Sequence, residues 1–588
     1  MRRNKPLAVL AGAALFALAA CGGSSDNPTS GSTKTFDPSA TDIAKDPKRA
    51  APAADIDGAT AGGTITVYLP GDPGPDSLDP TEGWSVTGNS IQQALTSRSL
   101  TQYARDPESG DMVLVPDLAT DLGTPNGDFT EWTFTIRDDA KWQDGSTITP
   151  EEVAWGITRS MDSDTFPGGP GTEYSQTYFK DAGKYKGPYT DKGKTWDGVS
   201  VNGQDITIKM AKPFPDMDYW GAFMAMGPSP LGKASDPPDY GQNIQSNGPY
   251  KVESFRPNEE LTLVKNDQWD PKSDPARHQY ADRWVFKFNQ DTAKVDQIML
   301  SDNTDSQTAL STGIGSNNYQ RANTELGDRL FQQSAQCTSF LSPDYTKIKD
   351  IRVRKALAYA YPYQDMWLAT GEVPGVTRVP ANSIMPPGMA GKKEFFADGE
   401  QFKFDPEKSK ELLKEAGYAP GDYKISMIYY EADPLAVAGQ KQLVKGFEEA
   451  GFTVVNGGYP VQDSPYNIWL NPDDPLNKKL NLRGVNWCSD WPSGLTMLPP
   501  LTKTGAAYNT AQFSEPAIDQ KMSDIPSMPL ADQAAAWGAL DEEIETKYFP
   551  IIPTAFRNDL FVFGSKIGNG VGDGALGAPD YKDLYVSQ

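Results

Sequence analysis

Between residues 131 and 137 the chain reads Glu-Trp-Thr-Phe-Thr-Ile-Arg, with apolar side chains on every second position. That alternation predicts a half-buried strand with Trp132, Phe134 and Ile136 on its inner face. The same period predicts a strand over 63–69 and further strands over 204–210, 250–254, 261–265 and 284–289. Helices are announced by their starts. Thr149-Pro150-Glu151-Glu152 offers an N-cap, a proline at the first helical position and a glutamate able to close a capping box. Asp350 caps a helix reaching Tyr361, Asp405-Pro406 opens one ending at Gly417, and Asp433-Pro434 opens one ending at Gly451. Strands over 424–430 and 452–455 flank the last of these as a strand–helix–strand unit. A final helix over 531–547 precedes an extended segment beginning Ile551-Ile552-Pro553. Strands and helices in mixed order, without an internal repeat, predict a multi-domain α/β protein.

The N-terminus follows a different pattern. Arg2, Arg3 and Lys5 precede an unbroken run of 14 apolar or small residues, 7–20. That run is too short to span a bilayer core of about 30 Å, and with its basic start it has the form of a secretory signal peptide over 1–20. Leu18-Ala19-Ala20-Cys21 resembles the lipobox of bacterial lipoproteins, which implies that the Cys21 thiol is lipidated and becomes the mature N-terminus. From Gly22 to about Gly62 the chain is Gly, Ser, Thr, Asp, Pro and Ala with almost no large apolar residue. Such a segment cannot bury enough surface to offset its ordering entropy, and residues 21–62 are expected to form a flexible tether. The mature body is thereby expected outside the cell, held to the membrane by lipid.

The chain has 588 residues and a formal charge of −24 spread along its length. This argues against a nucleic-acid partner and against basic-patch adhesion to anionic lipid. Beyond Cys21 only Cys337 and Cys488 remain, and in an exported chain such a pair more often bridges than stays free.

Catalytic chemistry is hard to place. His278 is the single histidine, so a Ser-His-Asp or Cys-His hydrolase would have to use it; in the polar run Arg277-His278-Gln279-Tyr280 it is expected at the surface. No Gly-x-x-x-x-Gly-Lys-Ser/Thr loop occurs, and no Cys-x-x-Cys or Cys/His cluster offers a zinc site. Ser301-Asp302-Asn303 and Lys503-Thr504-Gly505 match two motifs of penicillin-recognising enzymes. The Ser-x-x-Lys that would supply the nucleophile is absent. No enzyme activity, cofactor or metal is expected, which leaves binding.

An ordered series of motifs carries a resemblance. Trp132–Arg137, Lys141-Trp142-Gln143-Asp144-Gly145, Asn247-Gly248-Pro249-Tyr250, Asp350–Leu357, Phe404-Asp405-Pro406-Glu407-Lys408, Glu415-Ala416-Gly417-Tyr418 and Asn486-Trp487-Cys488-Ser489-Asp490-Trp491 occur in the order found in family 5 extracellular solute-binding proteins. These are the oligopeptide- and dipeptide-binding components of ABC importers. The resemblance implies a two-lobed α/β fold of the type II periplasmic-binding-protein kind, with an extra inserted domain and a hinge between lobes. Lobe I would comprise 63–91, 198–335 and 553–588, the insertion 92–197, and lobe II 336–552. It also implies a monomer that hands peptides to an ABC permease.

Most of these motifs have a purely structural use, as strand core, turn or helix anchor. The Trp487-Cys488-Ser489-Asp490-Trp491 stretch differs, because in peptide-binding relatives the aspartate at this place receives the α-ammonium group. The resemblance therefore assigns ligand contact to Asp490, with Trp487, Cys488 and Trp491 beside it. It also implies a Cys337–Cys488 disulfide. The usual second acidic residue is missing here, since Asp490 is followed by Trp491-Pro492-Ser493-Gly494. Another solute (a nickel chelate, an opine, an oligosaccharide) or a sensory lipoprotein role stays open at this level.

Overall fold

The structure is a computed structural model that describes residues 44–587. The signal peptide, Cys21 and the first half of the expected tether lie outside the described residues.

The local starts behave as their sequences dictate. Thr149 and Glu152 close a reciprocal capping box on the helix Pro150–Arg159. Asp350, Asp405 and Asp433 each accept a hydrogen bond from the first turn of the helices Ile351–Ala360, Pro406–Glu415 and Pro434–Glu449. The strand Glu131–Thr135 is followed by an isolated bridge at Ile136, and Trp132, Phe134 and Ile136 are all buried. The strand–helix–strand unit forms twice over one helix. Tyr423–Ile425 pairs in parallel with Phe452–Val454, and Ile428–Tyr430 with Tyr459–Val461.

The main sheet joins segments far apart in the chain. In spatial order it runs Leu482–Cys488, Leu330–Pro343, Ile552–Phe563, Ala309–Ser311, Thr64–Pro70, Arg283–Gln290, Glu260–Lys265 and Tyr250–Arg256, with Arg378–Pro380 as a ninth strand beside Ile552–Phe563. Its two longest members, Leu330–Pro343 and Ile552–Phe563, run antiparallel. Their register shifts between Ser334 and Cys337, where Gln336 takes a positive φ of 51°. A bulge of this kind bends a strand locally. A separate four-stranded antiparallel sheet is built from Thr124–Pro125, Glu131–Thr135, Asp205–Lys209 and Val199–Asn202.

Buried charge ties distant segments together. Arg98 and Arg277 share Asp117, at 2.7 and 2.9 Å, while Arg277 also pairs with Asp274 at 3.1 Å; all four are essentially inaccessible. Although burial pushes the Asp274 carboxyl up, Arg277 and Arg98 outweigh it and hold the group below the usual carboxylate range. Arg159 makes a similar buried pair with Asp79.

Two expectations are corrected. Residues 44–62 are not free tether. Ala44–Lys45 pairs in parallel with Met112–Pro116, Lys45 bonds Asp218 at 2.6 Å, Ala53 N–H donates to the Asp274 carbonyl, and Thr60 Oγ1 donates to the Val586 carbonyl. The segment has no core of its own and is held by polar bonds to a surface that is already folded, which composition does not report. His278 is not a free surface histidine either. Nδ1 lies 2.9 Å from Asp583 Oδ1 and Nε2 lies 3.0 Å from the Ala54 carbonyl. Two acceptors are both satisfied only by the imidazolium. Burial lowers its pKa, but the bond to Asp583 prevails and raises it.

Candidate functional site

The Asn486–Trp491 motif stands at the edge of the main sheet. Cys488 ends the strand Leu482–Cys488 directly opposite Cys337, and the two form the disulfide. Ser489 is pinned there by its N–H to the Gln336 carbonyl and its hydroxyl to Gln336 Oε1. The next residue, Asp490, is thereby placed beside the bulge at which the two long strands bend.

Asp490 meets two other parts of the chain. Its Oδ1 accepts a 2.8 Å bond from Trp84 Nε1, and its Oδ2 accepts one from the Tyr174 hydroxyl. Trp84 precedes Ser85, whose side chain caps the short helix Val86–Ile91. Tyr174 is locked by packing against Trp491 and Trp220, with ring centroids 4.5 and 5.1 Å away. Tyr174 is thereby held in place. Even so, burial raises the Asp490 carboxyl to about 6, with the bonds from Tyr174 and Trp84 only moderating the effect. Asp490 forms no ion pair with any cation among the described residues.

A cavity of about 260 Å³ opens in front of this carboxylate, lined by Trp84, Asn89, Trp487, Asp490 and Tyr508 among others. A second hollow of about 360 Å³ shares Val86 and Leu576 with it. Cys488 lines the first and Cys337 the second, so the cleft runs past the disulfide. Asp72, Arg557 and Asp559 give the second hollow its charge. A hollow of about 350 Å³ between Tyr363, Trp367 and Phe402 lies elsewhere and holds none of residues 486–491.

The four motif residues singled out from sequence have different fates. Asp490, Trp487 and Cys488 line the cavity. Trp487 presents its ring there while Nε1 is occupied by the Thr496 carbonyl at 2.7 Å. Trp491 does not line it and is corrected to a core residue. It is fully buried among Tyr174, Trp220, Phe214 and Phe223, with Nε1 on Asp216 at 2.8 Å. Trp84, Asn89, Tyr174 and Tyr508 were missed. They lie up to 406 positions from Asp490, and no local pattern marks them; only Ser85, a helix cap, hints that Trp84 sits at an element boundary.

Comparison with known proteins places this geometry. Residues 113–509 match the family described as bacterial extracellular solute-binding proteins, family 5 (middle). The chain is 23% identical to the periplasmic oligopeptide-binding protein OppA of Salmonella typhimurium, over 78% of this chain and 83% of that one. It is 24% identical to the periplasmic murein peptide-binding protein MppA of Escherichia coli, over 82% and 85% respectively. Among solved structures, clavulanic acid biosynthesis oligopeptide binding protein 2 superposes with a TM-score of 0.79 at 22% identity, covering 94% of this chain and all of that one. OppA of Listeria monocytogenes bound to peptide gives 0.66 at 19% identity, covering 89% and 99%. The matched family spans well over half the chain and the fold is shared along nearly all of it: this protein belongs to the family 5 bacterial extracellular solute-binding proteins.

Proposed function

We propose that the protein captures peptides between its lobes, with Asp490 receiving the α-ammonium group, and delivers them to an ABC import permease. The observation that carries this reading is the state of Asp490. It is a carboxylate held by two donors at the wall of a cavity, with burial raising it to about 6 and no cation beside it among the described residues. A bound ammonium would supply the missing charge, and charge-assisted bonds of this type are roughly twice as strong as neutral ones. Peptide-binding names among the relatives support the same ligand class. Closure would bend the long strands at the Ser334–Cys337 bulge, in keeping with lobe I as 63–91, 198–335 and 553–588, an insertion at 92–197 and lobe II at 336–552. Hinge closure of this kind traps ligand between domains.

The test is calorimetric titration of the native protein with one tripeptide in free and N-acetylated forms. The acetylated form is expected to bind at least about tenfold more weakly, which corresponds to about 1.4 kcal/mol. Equal affinities would remove the ammonium anchor and turn attention to a non-peptide solute.

We further propose that Cys21 is lipidated and holds the protein to the membrane. Cys21→Ala is expected to move the protein from the membrane to the soluble fraction with unchanged ligand affinity. Uptake should fall, because the local concentration at the permease is lost. Retention of the Cys21→Ala protein on membranes would refute the anchor.

A further inference from the structure

Arg557 stands in one row of the main sheet with the disulfide. Cys488 faces Cys337 on the neighbouring strand, and Cys337 faces Arg557 on the strand after that. Directly opposed residues of antiparallel strands share one face of a sheet. Cys337 and Arg557 accordingly line the same second hollow, while Cys488 lines the first beside Asp490. Val86 and Leu576 belong to both hollows, so the wall is continuous from Asp490 to Arg557.

Among the described residues Arg557 is the only cation lining the second hollow. Its side chain is half-exposed, and its Nε and Nη2 both go to Asp559 Oδ1, each at 2.8 Å. A guanidinium carries five N–H donors, so three stay open to a ligand. The neighbouring charges are already engaged. Arg378, opposite Arg557 on the ninth strand, pairs with Glu372 at 2.6 Å and donates to the Thr377 carbonyl at 2.9 Å. Asp72 accepts from the Gly74 N–H and from the Thr87 hydroxyl. What the hollow offers an anion is therefore the open edge of one guanidinium, and carboxylates match that edge with two parallel charge-assisted bonds.

The sheet also sets a length. Cys488 and Arg557 are two strand spacings apart, about 9–10 Å, and Asp490 lies two residues past Cys488. An extended tripeptide spans about 10 Å.

We propose that the two hollows form one ligand channel in which Arg557 receives the C-terminal carboxylate of a peptide whose ammonium is held at Asp490, so that free tripeptides are preferred to longer chains. The proposal rests on the peptide reading above. It gives the channel a direction, with the first residue beside Trp84 and Trp487 and the last beyond the disulfide. A longer chain would carry its carboxylate past Arg557 and leave an uncharged peptide group there.

The experiment is calorimetric titration of native, Arg557→Gln and Arg557→Lys proteins with trialanine, trialanine amide and pentaalanine. The native protein is expected to bind trialanine at least about tenfold more tightly than either of the others. In Arg557→Gln the preference for the free acid over the amide is expected to fall to about twofold or less. In Arg557→Lys, which keeps the positive charge, it is expected to remain above about threefold. Equal binding of trialanine and its amide by the native protein overturns the carboxylate subsite while leaving peptide capture intact, and so does a preference that survives in Arg557→Gln. Pentaalanine bound as tightly as trialanine overturns it as well. A preference lost as fully in Arg557→Lys as in Arg557→Gln would assign the effect to the shape of the wall and overturn the charge pairing. Failure of all three peptides to bind the native protein overturns peptide capture and this inference with it.

Discussion

Asp490→Asn is expected to weaken peptide binding by roughly ten- to a hundredfold, the equivalent of about 1.4–2.8 kcal/mol. The size follows from exchanging a charge-assisted bond to an ammonium for a neutral one. Folding stability should move little, by about 1 kcal/mol or less. The substitution relieves a desolvated carboxylate, its amide oxygen can keep the bond from Trp84, and its NH2 can donate to the Tyr174 hydroxyl, which accepts as well as donates. The pH dependence gives an independent check. Because burial raises the free carboxyl to about 6, the ammonium meets a charged partner above that pH and a protonated one below it. Affinity for a peptide with an uncharged first side chain should be greatest near pH 7, since the peptide's own ammonium is lost as pH passes about 8, and should fall by up to about tenfold per unit below 6. The variant should lose that acid limb. Native-like affinity in Asp490→Asn, with the acid limb retained, would assign the binding energy to other groups.

Asp117→Asn is expected to cost about 3–5 kcal/mol of stability, the usual result of breaking a buried ion pair by removing one partner. Asp117 accepts from both Arg98 and Arg277, and neither guanidinium is exposed. Without it the two arginines share Asp274 alone and one buried positive charge is left over. Urea denaturation followed by tryptophan fluorescence should show the midpoint falling, with several transitions analysed separately if the lobes unfold apart. A shift worth under about 1 kcal/mol would mean that water or a neighbouring carbonyl takes the place of the carboxylate. The cluster joins positions 98 and 117 to 274 and 277.

Glu545 shows what burial without compensation does to an acid. Neither of its oxygens has a hydrogen-bond partner, and burial, with Asp541 beside it, pushes the group well above the carboxylate range. Asp490 escapes so large a shift because Tyr174 and Trp84 bind its charged form. The candidate anchor is thus kept ready to ionise by neighbours that lie hundreds of positions away.

What the sequence by itself determined is what is decided within a few residues. Thr149, Asp350, Asp405 and Asp433 cap their helices because each cap needs only its own first turn. The strands around Trp132, Ile65 and Trp284 follow from alternation, since one face of each is buried. The ordered motifs were enough to point to the family and so to the two-lobed fold. The tertiary structure decided everything that depends on sheet order. Leu482–Cys488 and Leu330–Pro343 are neighbours, so Cys337 faces Cys488 across 151 positions, and Asp490 is carried to where Trp84 and Tyr174 can bind it. The same placement turns Trp491 into the core, pins residues 44–62 to the body and pairs His278 with Asp583. A side chain's type limits what it can do, but whether it meets a ligand, a core or a counter-charge depends on which distant strand lies beside it, and no local pattern records that.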